Sequence, residues 1–234
     1  MTLDPARLAA SIDSTNLRLD ATAADIRRLS EEALALSCAS VMIYPTSIPT
    51  AVEVLRGSHV AVGTVIGFPS GRFSTASKRA EIQSAAAAGA REVDIVMDHG
   101  ALRDGQSDTV AAELSTLAAE AHKLGLLIKV ITENCYLNES QILQALRLCE
   151  DAGVDFIKTS TGFGSAGAKV EHVALWARSR TKPIRIKAAG GIRTLADATA
   201  MIAAGAERLG TSNAASLMTE ARGQVTAAPV HAAY

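Results

Sequence analysis

Leu126–Thr132 reads LLIKVIT and Val154–Gly162 reads VDFIKTSTG, with the helical stretch Glu139–Asp151 between them. Each apolar run is short and continuous, as in a strand buried on both faces. The stretch between carries apolar residues at helical spacing. Strand, helix, strand in that order calls for parallel pairing, because a parallel connection needs a crossover. The same unit recurs in both directions. Strand-like runs lie at Ser11–Asp13, Ser40–Tyr44, Val60–Phe68, Glu92–Met97, Leu126–Thr132, Val154–Thr159, Ile184–Ala188 and Glu207–Gly210. Helical stretches alternate with them at Ala24–Ser37, Ile48–Leu55, Ala76–Ala88, Thr109–Lys123, Glu139–Asp151, Val170–Arg178, Leu195–Ala203 and Asn213–Ala221. Asp25, Asp108 and Asn138 stand near helix starts, and Gly57, Gly89, Gly125, Gly153 and Gly205 follow helix ends. One marker per strand (Asp13, Ile43, Val65, Val96, Val130, Ile157, Ile186, Leu209) gives spacings of 30, 22, 31, 34, 27, 29 and 23 residues. That regularity predicts an α/β fold, a single-domain (β/α)8 TIM barrel over residues 1–222, with a flexible tail at 223–234. The rival is a doubly wound open sheet, which usually shows GxGxxG after its first strand; none is there.

Composition agrees. The 234 residues include 45 Ala and are 48% hydrophobic, 3% aromatic and 20% charged. Alanine favours closely packed helices, and few aromatics argue against a β-sandwich. Lys+Arg 23 against Asp+Glu 24 leaves −1, so there is no basic field for nucleic acid. Cys38, Cys135 and Cys149 have no CxxC spacing, which argues against a disulfide framework or zinc site. No signal core and no run of about 18 uncharged apolar residues is found. The expectation is a cytoplasmic protein without a membrane span.

Strands of a buried parallel sheet should be almost purely apolar. Here Asp94, Lys129, Lys158, Arg185 and Lys187 interrupt them, four of the five toward the C-terminal half, where barrel active sites lie. One such residue is as readily a bracing ion pair as a functional group; the set points to chemistry. An ordinary lysine, of pKa about 10.4, is neutral about once in 2,500 at pH 7. A second cation about 6 Å away, at an effective dielectric of about 20, disfavours its charge by roughly 2.8 kcal/mol. That is about two pKa units, and desolvation acts in the same direction. Lys158 and Lys187 at the ends of neighbouring strands are therefore a route to a neutral amine that attacks a carbonyl to form a Schiff base. Asp94 would manage protons. Thr159-Ser160-Thr161-Gly162, Gly190-Gly191 and Gly210-Thr211-Ser212-Asn213 follow strands six, seven and eight. Loops of this kind on the last strands are suited to phosphate.

At these residues the chain resembles the deoxyribose-phosphate aldolases. The stretches are IDST (12–15), TVIGFP (64–69), EVD (92–94), DFIKTSTG (155–162), KAAGGIRT (187–194) and RLGTS (208–212). The resemblance covers about residues 11 to 217 and implies a (β/α)8 barrel and a class I aldolase with no metal and no cofactor. The implied reaction is the reversible joining of acetaldehyde and D-glyceraldehyde 3-phosphate to give 2-deoxy-D-ribose 5-phosphate. By position, Lys158 matches the Schiff-base lysine, Lys187 the lysine that perturbs it, and Asp94 the proton-handling carboxylate. Thr161, Gly162, Gly190, Gly191 and Ser212 match phosphate-loop positions, and Asp13 and Thr15 a first-strand segment near the site. Tyr234 matches the terminal tyrosine that assists proton transfer in some members. The partners implied are a small sugar phosphate and aldehydes, with a homodimer or other homo-oligomer as the assembly. A transaldolase-like or dehydratase Schiff-base barrel, or a non-catalytic barrel that binds sugar phosphate, are the alternatives.

The chain departs from the family pattern at Phe163, where some members carry a lysine available to the phosphate, and at Asp98, His99, Asn134 and Cys135. Of the other polar residues, Glu133 ends strand five on the parity of Lys129, and an internal ion pair rather than direct catalysis is its expected role. Lys78 is expected on a solvated helix face. The histidines are read as surface or capping residues, His99 near the mouth excepted. Cys38 and Cys149 read as packing residues, while for Cys135 a buried inert thiol and a mouth residue are equally open.

Overall fold

The computed structural model describes residues 4–223. Eight parallel strands close on themselves in chain order: β1 (Ile12–Asn16), β2 (Ser40–Ile43), β3 (Ala61–Ile66), β4 (Glu92–Val96), β5 (Leu127–Ile131), β6 (Phe156–Lys158), β7 (Arg185–Ala189) and β8 (Arg208–Thr211). The seam joins β8 to β1, with Ile12 beside Leu209 and Asp13 beside Gly210. Closure excludes the open sheet.

The helices are α1 (Pro5–Ala9), α2 (Ala23–Leu36), α3 (Ile48–Leu55), α4 (Thr75–Ala88), α5 (His99–Arg103), α6 (Ser107–Lys123), α7 (Glu139–Ala152), α8 (Val170–Ser179), α9 (Leu195–Ala203) and α10 (Ala214–Ala221). Side chains fix where they start. Thr22 with Asp25, Asn138 with Gln141, and Thr194 with Asp197 form reciprocal caps that satisfy the first free N–H groups of α2, α7 and α9. Gly89 and Gly153 end α4 and α7 in the left-handed conformation. Two short helices were not foreseen. Asp4 caps α1 and Asp98 caps α5, each accepting a backbone N–H, and five residues are too few to show a 3.6-residue period. β1 is also longer than expected, and β3 stops at Ile66 because Gly67 turns away with φ +61°.

The apolar core is the ring between sheet and helices. Ala33, Ala51, Ala121, Ala145 and Ala198 are fully buried there and bring helices close to the strands. Trp176 of α8 donates its indole N–H to the Ile142 carbonyl of α7 at 3.2 Å. Cys149 packs in the same layer, as expected, and burial pushes its thiol pKa up. The interior of the barrel is different. Alternation along a strand puts residues i and i+2 on one face. Glu92 with Asp94, Phe156 with Lys158, and Arg185 with Lys187 therefore share the inner face. The Arg185 guanidinium lies 4.0 Å from the Phe156 ring centroid and closes the lower end.

Lys78 corrects an expectation. It is 0% exposed, and its ammonium donates to both oxygens of Glu113, on α6, at 2.9 Å. Helical period gives the face a residue occupies, and here that face meets α6 rather than water.

Candidate active site

Asp94 is the centre of the barrel. Its Oδ1 accepts from Lys129 Nζ at 3.0 Å, and its Oδ2 from Lys158 Nζ at 2.6 Å and Lys187 Nζ at 2.7 Å. Register makes this possible: Asp94 is opposite Lys129, and Lys158 is opposite Lys187. Asp13 accepts from Lys187, from Ser40 Oγ at 2.7 Å and from Arg208 at 2.6 Å. Glu92 accepts from Lys129 and Arg208. Four cations (Lys129, Lys158, Lys187, Arg208) thus face three carboxylates (Asp13, Glu92, Asp94), an excess of one positive charge in a space closed to solvent.

That imbalance decides which group gives up a proton. Burial works against ionising Asp94 and Asp13, and the surrounding cations outweigh it, holding both carboxyls well below the usual range. Lys129 is raised above the ordinary lysine value because Asp94, Asp13 and Glu92 together overcome its burial. Lys158 pairs with one carboxylate oxygen and shares it. Burial pushes its pKa down, Asp94 pulls it up, Lys187 pushes it down again, and it comes to rest at about 8. Desolvation is the first cause, and the Lys187 charge, which the sequence put first, ranks behind it. Lys187 also does not end its strand; Ala188 and Ala189 follow it in β7.

Above this centre a cleft opens at the C-terminal ends of the strands. Thr15, Lys158, Thr161, Gly162, Gly190, Gly191 and Ser212 all line it, so three separate loops and a first-strand residue meet there as expected. Asp13, Asp94 and Lys187 are buried beneath its floor instead. Gly190 and Gly191, at φ +87° and +80°, present backbone to the cleft in a conformation that side chains disfavour. α10 starts at the cleft edge, and the side chain of its cap, Asn213, makes no capping bond. Tyr234 lies outside the described residues.

Several lining and buried residues escaped the sequence reading. Arg193, two positions after the Gly-Gly pair, lines the cleft; among the described residues it and Lys158 are the cations that do. Glu92 and Arg208 belong to the buried network. Their signal was present in strand parity with Asp94 and in the position of Arg208 at the start of β8. On the β1–β3 side the mouth is walled by Leu17, Met42 and Val65 under three aromatic rings, Tyr44, Phe68 and Phe163, packed edge to face at 5.9 and 5.2 Å.

Glu133 corrects another expectation. Lys129 is taken by Glu92 and Asp94, and Glu133 turns the other way. With φ +50° it leaves the strand direction and accepts from the N–H and hydroxyl of Thr161. Burial pushes its carboxyl pKa up, against those bonds. His99 is at the mouth, as read, stacked on Tyr136 at 5.2 Å. Cys135 is half-buried beside Glu133.

A closed eight-stranded parallel barrel with a buried lysine–aspartate centre under a loop-lined cleft is the build of a (β/α)8-barrel enzyme with amine chemistry. Comparison with known proteins narrows the class: residues 7–219 match the DeoC/LacD family aldolase model, and the chain belongs to that family. It is 44% identical over 214 residues to a deoxyribose-phosphate aldolase of Carboxydothermus hydrogenoformans, covering 91% of this chain and 94% of that one. A deoxyribose-phosphate aldolase of Aciduliprofundum boonei is 41% identical over 216 residues, 92% and 97% of the two chains. The tetrameric deoxyribose phosphate aldolase of Aeropyrum pernix superposes with a TM-score of 0.87 at 30% identity, covering 94% of this chain and 92% of that one. Among the described residues no helix is long and apolar enough to cross a membrane.

Proposed function

We propose that the chain cleaves 2-deoxy-D-ribose 5-phosphate reversibly to acetaldehyde and D-glyceraldehyde 3-phosphate through an imine on Lys158. The observation that carries the reading is the position of Lys158. Among the described residues it is the one lysine that opens into the cleft, and burial brings its amine pKa down to about 8. Its neutral amine adds to C1 of the open-chain sugar, and loss of water gives the protonated imine. The electrons of the C2–C3 bond move into that imine while the C3 hydroxyl gives up its proton, which releases D-glyceraldehyde 3-phosphate and leaves an enamine. Protonation at C2 and hydrolysis then free acetaldehyde and Lys158.

Asp94 is held too acidic to keep a proton for long. Its part is to bind Lys158 and Lys187 side by side, so that a proton shed at one amine passes over a distance of one hydrogen bond. Asp13 does the same for Lys187 from below. The phosphate sits against Thr161, Gly162, Gly190, Gly191 and Ser212. Arg193 supplies the positive charge there, where Phe163 supplies none. Thr15 closes the first-strand side. Tyr234 relays a proton to the enamine carbon. Eleven residues follow Gly223, enough chain to span about 36 Å, against roughly 20 Å for the longest strand of the barrel. The barrel is one domain over 1–222, cytoplasmic, and a homo-oligomer of dimeric or higher order; the tetrameric relative supports an assembly.

Borohydride reduction with acetaldehyde tests the reading. A two-carbon adduct on Lys158, and full activity in excess chelator, are expected. No adduct, or chelator-sensitive cleavage restored by zinc, would sink it.

A further inference from the structure

We infer that Glu133 is a positioning residue that holds the Thr161–Phe163 segment as the wall of the substrate cleft. The inference rests on the reading of that cleft as the sugar-phosphate site. The segment is a partition. On one side is the catalytic cleft; on the other is a second, open groove, and Thr161 and Phe163 line both. Phe163 packs on Phe68 at one end of the segment, and directional bonds hold the polar end, which has space on either side.

Glu133 provides them. Its carboxylate is 2% exposed and accepts from Thr161 N at 3.2 and 3.3 Å and from the Thr161 hydroxyl. The same hydroxyl oxygen accepts from Phe163 N at 2.9 Å, so one carboxylate orders three consecutive residues. Gly164 continues this close approach: a Cβ there would stand 2.7 Å from Cys135 Sγ and 3.1 Å from Glu133 Cδ. Glu133 itself is a non-glycine residue at φ +50°, ψ +62°, a conformation of some cost that persists only when its surroundings enforce it. That turn aims the side chain at Thr161 and away from Lys129.

Lys158 is anchored separately: its amine is bound by Asp94 at 2.6 Å, and its backbone is held by the neighbouring strands. Thr132 N donates to the Lys158 carbonyl at 3.0 Å, and Thr159 N donates to the Lys187 carbonyl at 3.1 Å. Thr159 Oγ1 donates to the Ala189 carbonyl at 3.1 Å. Loosening the Glu133 contact therefore frees the wall and leaves the nucleophile in place.

The test measures KM and kcat for deoxyribose 5-phosphate and for unphosphorylated deoxyribose, with borohydride trapping of acetaldehyde alongside. Glu133→Ala is expected to raise KM for the phosphorylated sugar by about tenfold, the value of one charge-assisted hydrogen bond. KM for deoxyribose should stay within about twofold, and trapping should not fall, because losing a carboxylate near Lys158 favours its neutral amine. Glu133→Gln, which keeps an acceptor for the Thr161 N–H, should fall between. Thr161→Val, nearly isosteric, should give the same phosphate-selective loss, and the double variant should be no worse than Glu133→Ala. Equal losses on both sugars, trapping lost in step with KM, or additive effects in the double variant would overturn the inference. If the unaltered protein itself does not prefer the phosphorylated sugar, the reading of the cleft fails first, and the two failures are told apart.

Discussion

Lys158 and Lys187 are register partners on β6 and β7, and both amines converge on one oxygen, Oδ2 of Asp94, at 2.6 and 2.7 Å. The carboxylate keeps two like charges close while offsetting part of their repulsion. What it leaves uncompensated, together with burial, lowers the pKa of the more lightly paired amine. At a pKa of about 8 the neutral fraction of Lys158 at pH 7 is about one in eleven, against about one in 2,500 for an ordinary lysine.

Activity should rise with pH as Lys158 loses its proton, with a half-point near pH 8 in the rate of imine formation. Lys158→Ala should form no imine. Lys187→Leu removes one of the three influences that depress the amine, leaving burial and Lys129, so the rising limb should move alkaline by less than the roughly two units that charge alone would supply. A pH–rate profile identical to that of the unaltered protein would show that Lys187 does not tune Lys158.

The lowered pKa that favours activity costs stability at neutral pH, and stability should rise with pH through the same range. The folded pKa of Lys158 lies below the unfolded value of about 10.4. The unfolded chain therefore binds more protons between about pH 8 and 10.4, and charging Lys158 in the fold costs stability at neutral pH. Lys158→Met should raise Tm at pH 7 by a few degrees, on the order of 3 °C. The difference should vanish above about pH 10.5. A lower Tm at pH 7 would mean that the Asp94 contact outweighs the desolvation.

Phosphate selectivity should follow Ser212 and Arg193. Ser212→Asp places a negative charge at the cleft, and Arg193→Ala removes a positive one. Each should raise KM for deoxyribose 5-phosphate far more than for deoxyribose, by at least about tenfold. Matched changes in the two KM values would locate the phosphate elsewhere.

The Lys78–Glu113 pair should matter to folding rather than to catalysis. Glu113→Ala leaves a fully buried ammonium without its carboxylate, a loss of about 3–5 kcal/mol. Lys78→Met with Glu113→Leu removes both charges and should recover most of that Tm. Thermal unfolding of the single and double variants decides it; no recovery in the double variant would show that the pair itself, not the unpaired charge, sets the stability.

Much of this protein was legible in one dimension. Apolar runs alternating with capped helical stretches are local properties, and Asn138 and Gly153 bound α7 where the sequence predicts. Charges inside strands named Asp94, Lys158 and Lys187, because an apolar strand has no other use for them. Glycine and hydroxyl residues after the last three strands named the cleft loops. Closure of the barrel decided the rest. A strand's two-residue period tells which side chains point inward, but not which of seven inward strands each will meet. So Glu133 met Thr161 instead of a cation, Lys78 met Glu113 instead of water, and Arg208 and Glu92, whose parity placed them inward, found their partners only on closure. The pKa of Lys158 belongs to this second kind. Its neighbours in the chain set none of it; burial, a carboxylate 64 residues away in sequence and the lysines that share that carboxylate set it.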